Sequence, residues 1–175
     1  GQSLPGASLA AVLIRNKRDP PSEFMGTGKP LFTADVDEFF KADWDVAVEA
    51  AGQSIVRDYG RRCLEMRRHF LITSVGALCD ELLHRELLGF AETSGSQLLI
   101  AAGALPGMDW MASAAIETVD EVSITQIKRP EGWLGTPAEK VVDLNSLTEA
   151  TNIFEGPARK AATLYPKNAN IAAAL

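Results

Sequence analysis

Cationic clusters, long apolar runs and cysteine pairs are all scarce in this chain, and each scarcity removes a class of function. The formal net charge is −6, and no long Lys/Arg run offsets it, so a nucleic-acid partner is not expected. No apolar run approaches the roughly 18–20 residues of a membrane helix, so neither is a membrane partner. The first apolar run leads into Arg15, Lys17, Arg18 and Asp19 and not into a small-residue cleavage pattern, which argues against a signal peptide there. Only two cysteines occur. Cys63 and Cys79 match no metal or redox spacing and read as reduced thiols of a cytoplasmic protein. No metal site is expected. The G-x-G-x-x-G dinucleotide fingerprint is also missing, and no internal repeat is visible.

What remains is the pattern of an ordinary folded chain, with 46% hydrophobic and 23% charged residues over 175 positions. Phe70 to Asp109 carries its strongest order. The apolar run 70–73 enters the turn Ser74-Val75-Gly76-Ala77, and the run 97–102 enters Gly103-Ala104-Leu105-Pro106-Gly107. Between them Leu82, Leu83, Leu87, Phe90 and Ala91 recur at helical spacing. Strand, glycine turn, helix, strand, glycine turn is the grammar of a parallel sheet with right-handed crossovers. Ligands of such sheets sit beyond the carboxyl ends of the strands, where both turns lie.

The preceding residues extend the pattern. Ser8 to Ile14 has strand length, and 19–30 is a Pro/Gly-rich loop. Thr33 is placed to cap a short helix through Phe40. Trp44 to Ala50 reads as a buried strand, and Gln53 to Arg68 as a helix with the stripe Ile55, Val56, Tyr59, Cys63 and Met66, weakened by Gly60. After Asp109 the grammar changes. Helix is predicted over 110–117, a half-exposed strand over 119–129, a loop over 130–140, a short helix over 145–150 and a strand over 152–155. Gly156-Pro157 should open a helix, 165–170 a polar turn, and 171–175 the start of another helix. The expected fold class is α/β: a Rossmann-like parallel-sheet domain over 1–104 with its first strand missing, then an incomplete α+β catalytic domain over 105–175. The charged segment 15–18 closes the first run as it would a second strand, so the sequence reads as a fragment.

Six segments in order resemble the L-aspartate dehydrogenase family. They are 48–52, Thr73-Ser74-Val75-Gly76-Ala77-Leu78, 103–109, Trp133-Leu134-Gly135-Thr136-Pro137, Phe154-Glu155-Gly156-Pro157-Ala158-Arg159, and 164–175 with Tyr165-Pro166-Lys167-Asn168-Ala169-Asn170. The resemblance covers most of the chain from Trp44 onward. It implies a Rossmann domain joined to a mixed α/β domain, with NAD or NADP as cofactor. The implied reaction is oxidation of L-aspartate to iminoaspartate, which feeds NAD biosynthesis. The family's catalytic histidine comes beyond the position of Leu175, and neither His69 nor His84 stands in its place. No catalytic residue is therefore assigned, and the 175 residues by themselves are expected to be inactive.

In family terms Ala104 and Asn170 match positions that contact the dinucleotide. Gly76 and Gly103 would let backbone approach a planar ring, and Ser74 would either hydrogen-bond the cofactor or cap the next helix. Ser74, Gly76 and Ala77 are thus cofactor-binding candidates. Arg15 joins them, because the end of the second strand holds an acid in NAD-preferring folds and an arginine where a 2′-phosphate is accepted. A substrate with two carboxylates needs cations and fixed donors. Lys167, Asn168 and Thr136 are the candidates, with Lys128 behind them. Glu49, at a strand end beside the expected crevice, is a lesser candidate for catalysis. The open face of 119–129 suggests a homodimer. The competing readings are another two-domain reductase, of the homoserine dehydrogenase or dihydrodipicolinate reductase groups, and a non-catalytic dinucleotide-binding module.

Overall fold

A computed structural model describes residues 6–16, 21, 29–103, 105, 107–166 and 170–174, with Asn170 by its backbone alone. The chain falls into two units, Gly1–Val46 and Ala47–Leu175. In the first, strand β1 (Ala11–Leu13) pairs in parallel with β2 (Leu31–Thr33), Ala11 opposite Leu31 and Leu13 opposite Thr33. Helix α1 (Val36–Lys41) follows. Its cap is Asp35, whose carboxylate accepts from the N–H groups of Asp37 at 2.8 Å and Glu38 at 3.2 Å. Thr33, expected in that role, ends β2 instead; its hydroxyl oxygen accepts from Asp35 N–H and its proton goes to the Glu38 carboxylate. Phe40 and Trp44 are buried. The indole N–H of Trp44 donates to the Phe39 carbonyl at 3.0 Å, which holds Trp44 in an aromatic cluster with Phe39 and Phe40. The expected strand therefore begins only at Val46.

The second unit begins with β3 (Val46–Glu49), α2 (Gln53–Glu65) and β4 (His69–Ile72). A 3-10 turn at Val75–Cys79, helix α3 (Glu81–Ser94) and β5 (Leu98–Ile100) come next. The strands lie in the order β3-β4-β5, and β4 and β5 run parallel, Phe70 opposite Leu98 and Ile72 opposite Ile100. Helix α2 packs on α3 and β4. Val56, Cys63 and Leu64 of α2, Phe70 and Ile72 of β4, and Leu87 and Ala91 of α3 form the core. The strand expected to be buried throughout is only half so: Ala47 and Glu49 point inward, while Val48 is 63% exposed. Asp80 starts α3 by accepting from Leu82 and Leu83 N–H, and Gly95 ends it in the left-handed region at φ 74°.

Beyond β5, α4 (Met108–Ala114) buries no residue. The strand predicted over 119–129 is absent from the described residues. Its side-chain alternation is real, with Ile124, Gln126 and Lys128 half-buried and Thr125, Ile127 and Arg129 exposed, but no neighbouring strand among the described residues accepts its ladder. The loop over 130–140 contains two 3-10 turns, Pro130–Trp133 and Pro137–Lys140. The short helix at 145–150 and the strand at 152–155 do not form either. Instead Ile153 and Phe154 pack against a second core of Ala138, Leu144, Ala162, Tyr165 and Ala172. Tyr165, read as part of a polar turn, is 4% exposed and meets Trp133 and Phe154 edge-on. Helices α5 (Ala158–Leu164) and α6 (Asn170–Ala174) pack on each other and on the turn Val75–Cys79. The turn after β4 thus touches both cores of this unit.

Gly60 is explained by packing. A Cβ there would lie 3.0 Å from the Phe70 ring and 3.1 Å from a Leu87 methyl. Helix propensity favours alanine over glycine by about 1 kcal/mol, whereas overpacking a filled core costs about 1–3 kcal/mol. Gly60→Ala should therefore lower stability, read as a lower urea midpoint. A gain near the full propensity difference would show that Leu87 moves aside freely.

Candidate functional site

Glu49 ends β3 with its side chain turned inward, 3% exposed. Its Oε1 accepts from Ala51 N–H at 2.8 Å, Gly52 N–H at 2.7 Å and the Ser74 hydroxyl at 3.0 Å. Its Oε2 accepts from Ser74 N–H at 2.9 Å and Thr73 N–H at 3.3 Å. One carboxylate thereby ties the turn after β3 to the turn after β4. Gly52 sits at φ 129°, a conformation other residues rarely adopt, and this aims its N–H at the acid. Burial pushes the Glu49 pKa up, but the N–H groups of Gly52, Ser74 and Ala51 and the Ser74 hydroxyl outweigh it and hold the acid below its ordinary value. Glu49 is a fixed anion with its acceptor sites filled, not a free base.

Beside this knot, at the carboxyl ends of β4 and β5, a narrow cleft is lined by Thr73, Val75, Ala101, Ala102 and Gly103, and by Ile171 and Ala174 of α6. Gly103 has φ 58°, and no atom of the other described residues lies within 4 Å of where its Cβ would stand, so among them its backbone is open to a flat ligand. The lining is small, uncharged and mostly apolar. The lining suits the flat face of a ring in its chemistry, in a space of about 30 Å³ as it stands, roughly one water's share of volume, and it offers no cation for phosphates.

The sequence-predicted residues divide unevenly around this cleft. Ser74 neighbours it, but its hydroxyl proton goes to Glu49 and it does not cap the following turn. Gly76 lies inside the 3-10 turn and is not among the positive-φ glycines. Ala77 is fully buried, and both its backbone groups are used, with Ser74 carbonyl and Asp80 N–H. It supports the turn from within and presents nothing to the cleft. Arg15, in the other unit, is exposed just after β1. Ala104, Lys167 and Asn168 lie outside the described residues, as does the side chain of Asn170. Thr136 is committed to local structure: it donates to Trp133 carbonyl at 2.6 Å and caps Pro137–Lys140 by accepting from Ala138 N–H. Lys128 stacks over the Trp133 ring at 5.6 Å.

His69 Nδ1 accepts from Gln97 N–H at 3.0 Å, so that nitrogen joins β4 to the residue before β5. A larger pocket of about 220 Å³ is lined by Pro130, Glu131, Leu134, Leu144, Asn145 and Leu147, none of them a predicted site residue. No group able to hold a metal occurs among the described residues. Both cysteines are free; burial pushes the Cys63 thiol up to about 12 and raises Cys79 as well. Sequence reasoning missed the role of Glu49 as the tie between turns. The signal was present: an acid at a position facing the core must find donors, and two turns rich in small residues supply them.

Because the folded-state pKa of Glu49 is lowered, its stabilisation is complete above the unfolded-state value and is lost as pH falls through the folded one. Glu49→Gln should cost about 1–3 kcal/mol at neutral pH, since an amide leaves some of these donors unmet. The gap between wild type and variant should then shrink in acid below the ordinary carboxylate range. Urea denaturation of both at a series of pH values checks this, and a gap that widens in acid would contradict it.

Comparison with known proteins gives the cleft a context. Residues 1–101 match the family described as homoserine dehydrogenase, NAD binding domain. Residues 109–175 match aspartate dehydrogenase, C-terminal. An L-aspartate dehydrogenase of Ruegeria pomeroyi is 44% identical over 170 residues, covering 97% of this chain and 61% of that protein. One of Cupriavidus necator is 43% identical over 129 residues, covering 74% and 48%. The crystal structure of aspartate dehydrogenase from Thermotoga maritima shares the fold with a TM-score of 0.72 at 24% identity, over 97% of this chain and 64% of that one. The chain thus spans about half to three-fifths of the length of these curated relatives. The chain belongs to the NAD-binding domain family matched over 1–101, with NAD or NADP as the cofactor class, and is similar over 109–175 to the C-terminal domain of aspartate dehydrogenases.

Proposed function

We propose that the protein carrying this chain oxidises L-aspartate to iminoaspartate, with NAD or NADP as hydride acceptor, and so feeds NAD biosynthesis. The observation that carries the reading is the cleft beyond β4 and β5. The neighbours of the two residues expected to touch the dinucleotide, Gly103 beside Ala104 and Ile171 beside Asn170, line one space. The cofactor supplies the acceptor carbon when bound; the chain's part is to hold its ring against the substrate carbon. The fixed donors at the ends of β3 and β4 are already taken by Glu49. The two substrate carboxylates therefore fall to residues of the second half, for which Lys167 and Asn168 remain the proposed contacts and Thr136 a weaker one. We place the domain division at 104/105, which lies between the two family matches. A cytoplasmic homodimer completes the reading. It is supported by the exposed Val119, Val122 and Ile127 in the segment that lacks a ladder partner among the described residues; no helix of the described residues is long and apolar enough to cross a membrane.

A second reading is favoured by the description of the match over 1–101: a dehydrogenase of related build acting on L-homoserine. Reduced cofactor formed by the full-length protein with L-aspartate but not L-homoserine supports the first; the reverse preference overturns it.

Three substitutions in the full-length protein sharpen the assignment. Arg15→Asp should weaken NADP far more than NAD, by roughly ten- to a hundred-fold, because it replaces a phosphate-binding cation with a repelling anion. Equal changes in the KM of both cofactors would remove Arg15 from the site. Ala104→Leu should raise the KM of either cofactor by an amount worth about 1–3 kcal/mol of steric cost. Asn170→Ala should raise it less, by about one hydrogen bond of roughly 0.5–1.5 kcal/mol. Unchanged KM in both variants would move the dinucleotide out of this cleft.

A further inference from the structure

The buried carboxylate of Glu49 has no counterpart among the roles already assigned to the cleft, and its geometry is unusually complete. Four backbone N–H groups and one hydroxyl converge on it, from Ala51 and Gly52 after β3 and from Thr73 and Ser74 after β4. Two of those neighbours bear directly on the cleft: Thr73 lines it, and Ser74 leads into Val75, which also lines it. Converging backbone amides at strand ends are natural binding points for phosphate or carboxylate. Here the chain supplies its own anion, and a ligand anion at that point would meet both a filled set of donors and a repelling charge.

We propose that Glu49 is a positioning residue of the dinucleotide site: its carboxylate locks the 73–75 wall of the cleft in place and, by occupying the amides, reserves this end of the sheet for a ring and turns phosphates away. The proposal rests on the reading that the cleft holds NAD or NADP. It assigns Glu49 no proton transfer, since an acid bound by five donors has no free site from which to act as a base. Its effect is transmitted through Thr73 and Ser74. Release of the carboxylate takes this partner from the amides of Ala51, Gly52 and Ser74, while Thr73 N–H keeps the Glu49 carbonyl at 3.2 Å, and the 73–75 wall loses its only tie to the turn after β3 among the side-chain hydrogen bonds of the described residues. Misplacement of a positioning wall by about 1 Å is enough to cost about 10²-fold in rate.

The test uses the full-length protein and two variants. Glu49→Ala removes the anion and leaves a space that formate, a single carboxylate, is small enough to fill. Glu49→Gln keeps the shape and exchanges one acceptor oxygen for an amide N–H₂ that faces donors. Dissociation constants for NADH by fluorescence titration and Tm by scanning calorimetry are measured with sodium formate and, as the control, with sodium chloride at equal ionic strength. Both variants are expected to bind NADH roughly ten- to a hundred-fold more weakly. Formate should raise the Tm of Glu49→Ala and recover part of its NADH affinity, while leaving wild type and Glu49→Gln unmoved. If Glu49→Ala does not fold without formate, Glu49→Gln decides by its NADH affinity alone. Wild-type affinity in either folded variant overturns the positioning role, as does a formate effect equal in all three proteins. Wild type that binds neither NADH nor NADPH overturns the underlying reading and the proposal with it. The two failures are distinguishable, because only the second shows in the unsubstituted protein.

Discussion

The second half of the fold depends on satisfying one buried negative charge. A carboxylate at 3% exposure costs several kcal/mol unless paired or fully hydrogen-bonded, and no cation approaches Glu49 among the described residues. Backbone amides do the work instead, and they come from residues adjacent in the chain and from residues 24 and 25 positions away. Satisfying the charge therefore aligns the ends of β3 and β4. That alignment sets where the turn Val75–Cys79 begins, and on this turn α5 and α6 pack. The wall of the cleft and the seat of the C-terminal helices descend from the same interaction.

The site that results is poor in charge, which is a functional statement in itself. Ala101, Ala102, Gly103, Ile171 and Ala174 can exclude water and lie flat against a ring, but they cannot neutralise a phosphate or a carboxylate. Recognition of the proposed ligands' charges falls to residues outside this lining. Arg15 is exposed in the other unit, and the proposed substrate contacts belong to the second half of the sequence. The proposed reading assigns the ring to this apolar lining and leaves the charged ends to residues outside it. This agrees with the general rule that ligand pockets are mostly apolar with a few placed polar groups.

The strongly periodic part of the chain was legible from sequence. Helices α2 and α3 and strands β4 and β5 fall where spacing and glycine turns put them, because burial on one side dictates the pattern. The misses share a physical cause. The alternation in 119–129 is a property of side chains, whereas a strand also needs a partner for its backbone, and none stands beside it among the described residues. Phe154 and Tyr165 were read as strand and turn from their neighbours, yet large aromatics are recruited to whatever core lies nearest, here that of Ala138 and Ala162. Strand β2, three residues long after Pro30, is too short to show a period. At the candidate site, the family resemblance pointed to the turns after β4 and β5, and there Ser74 and Ala77 face inward for reasons of local geometry. Only the hydrogen-bond set around Glu49 explains Ser74.

The central claim is that the space between the turns after β4 and β5 and helix α6 holds the dinucleotide. Hydrogen–deuterium exchange of the full-length protein with and without saturating NAD tests it most directly, since amides at a filled cleft exchange more slowly. The account predicts new protection at residues 101–103 and 171–174, and little change at Ala51 and Gly52, whose N–H groups Glu49 already holds. Protection confined to other segments, with 101–103 and 171–174 exchanging as before, would contradict it.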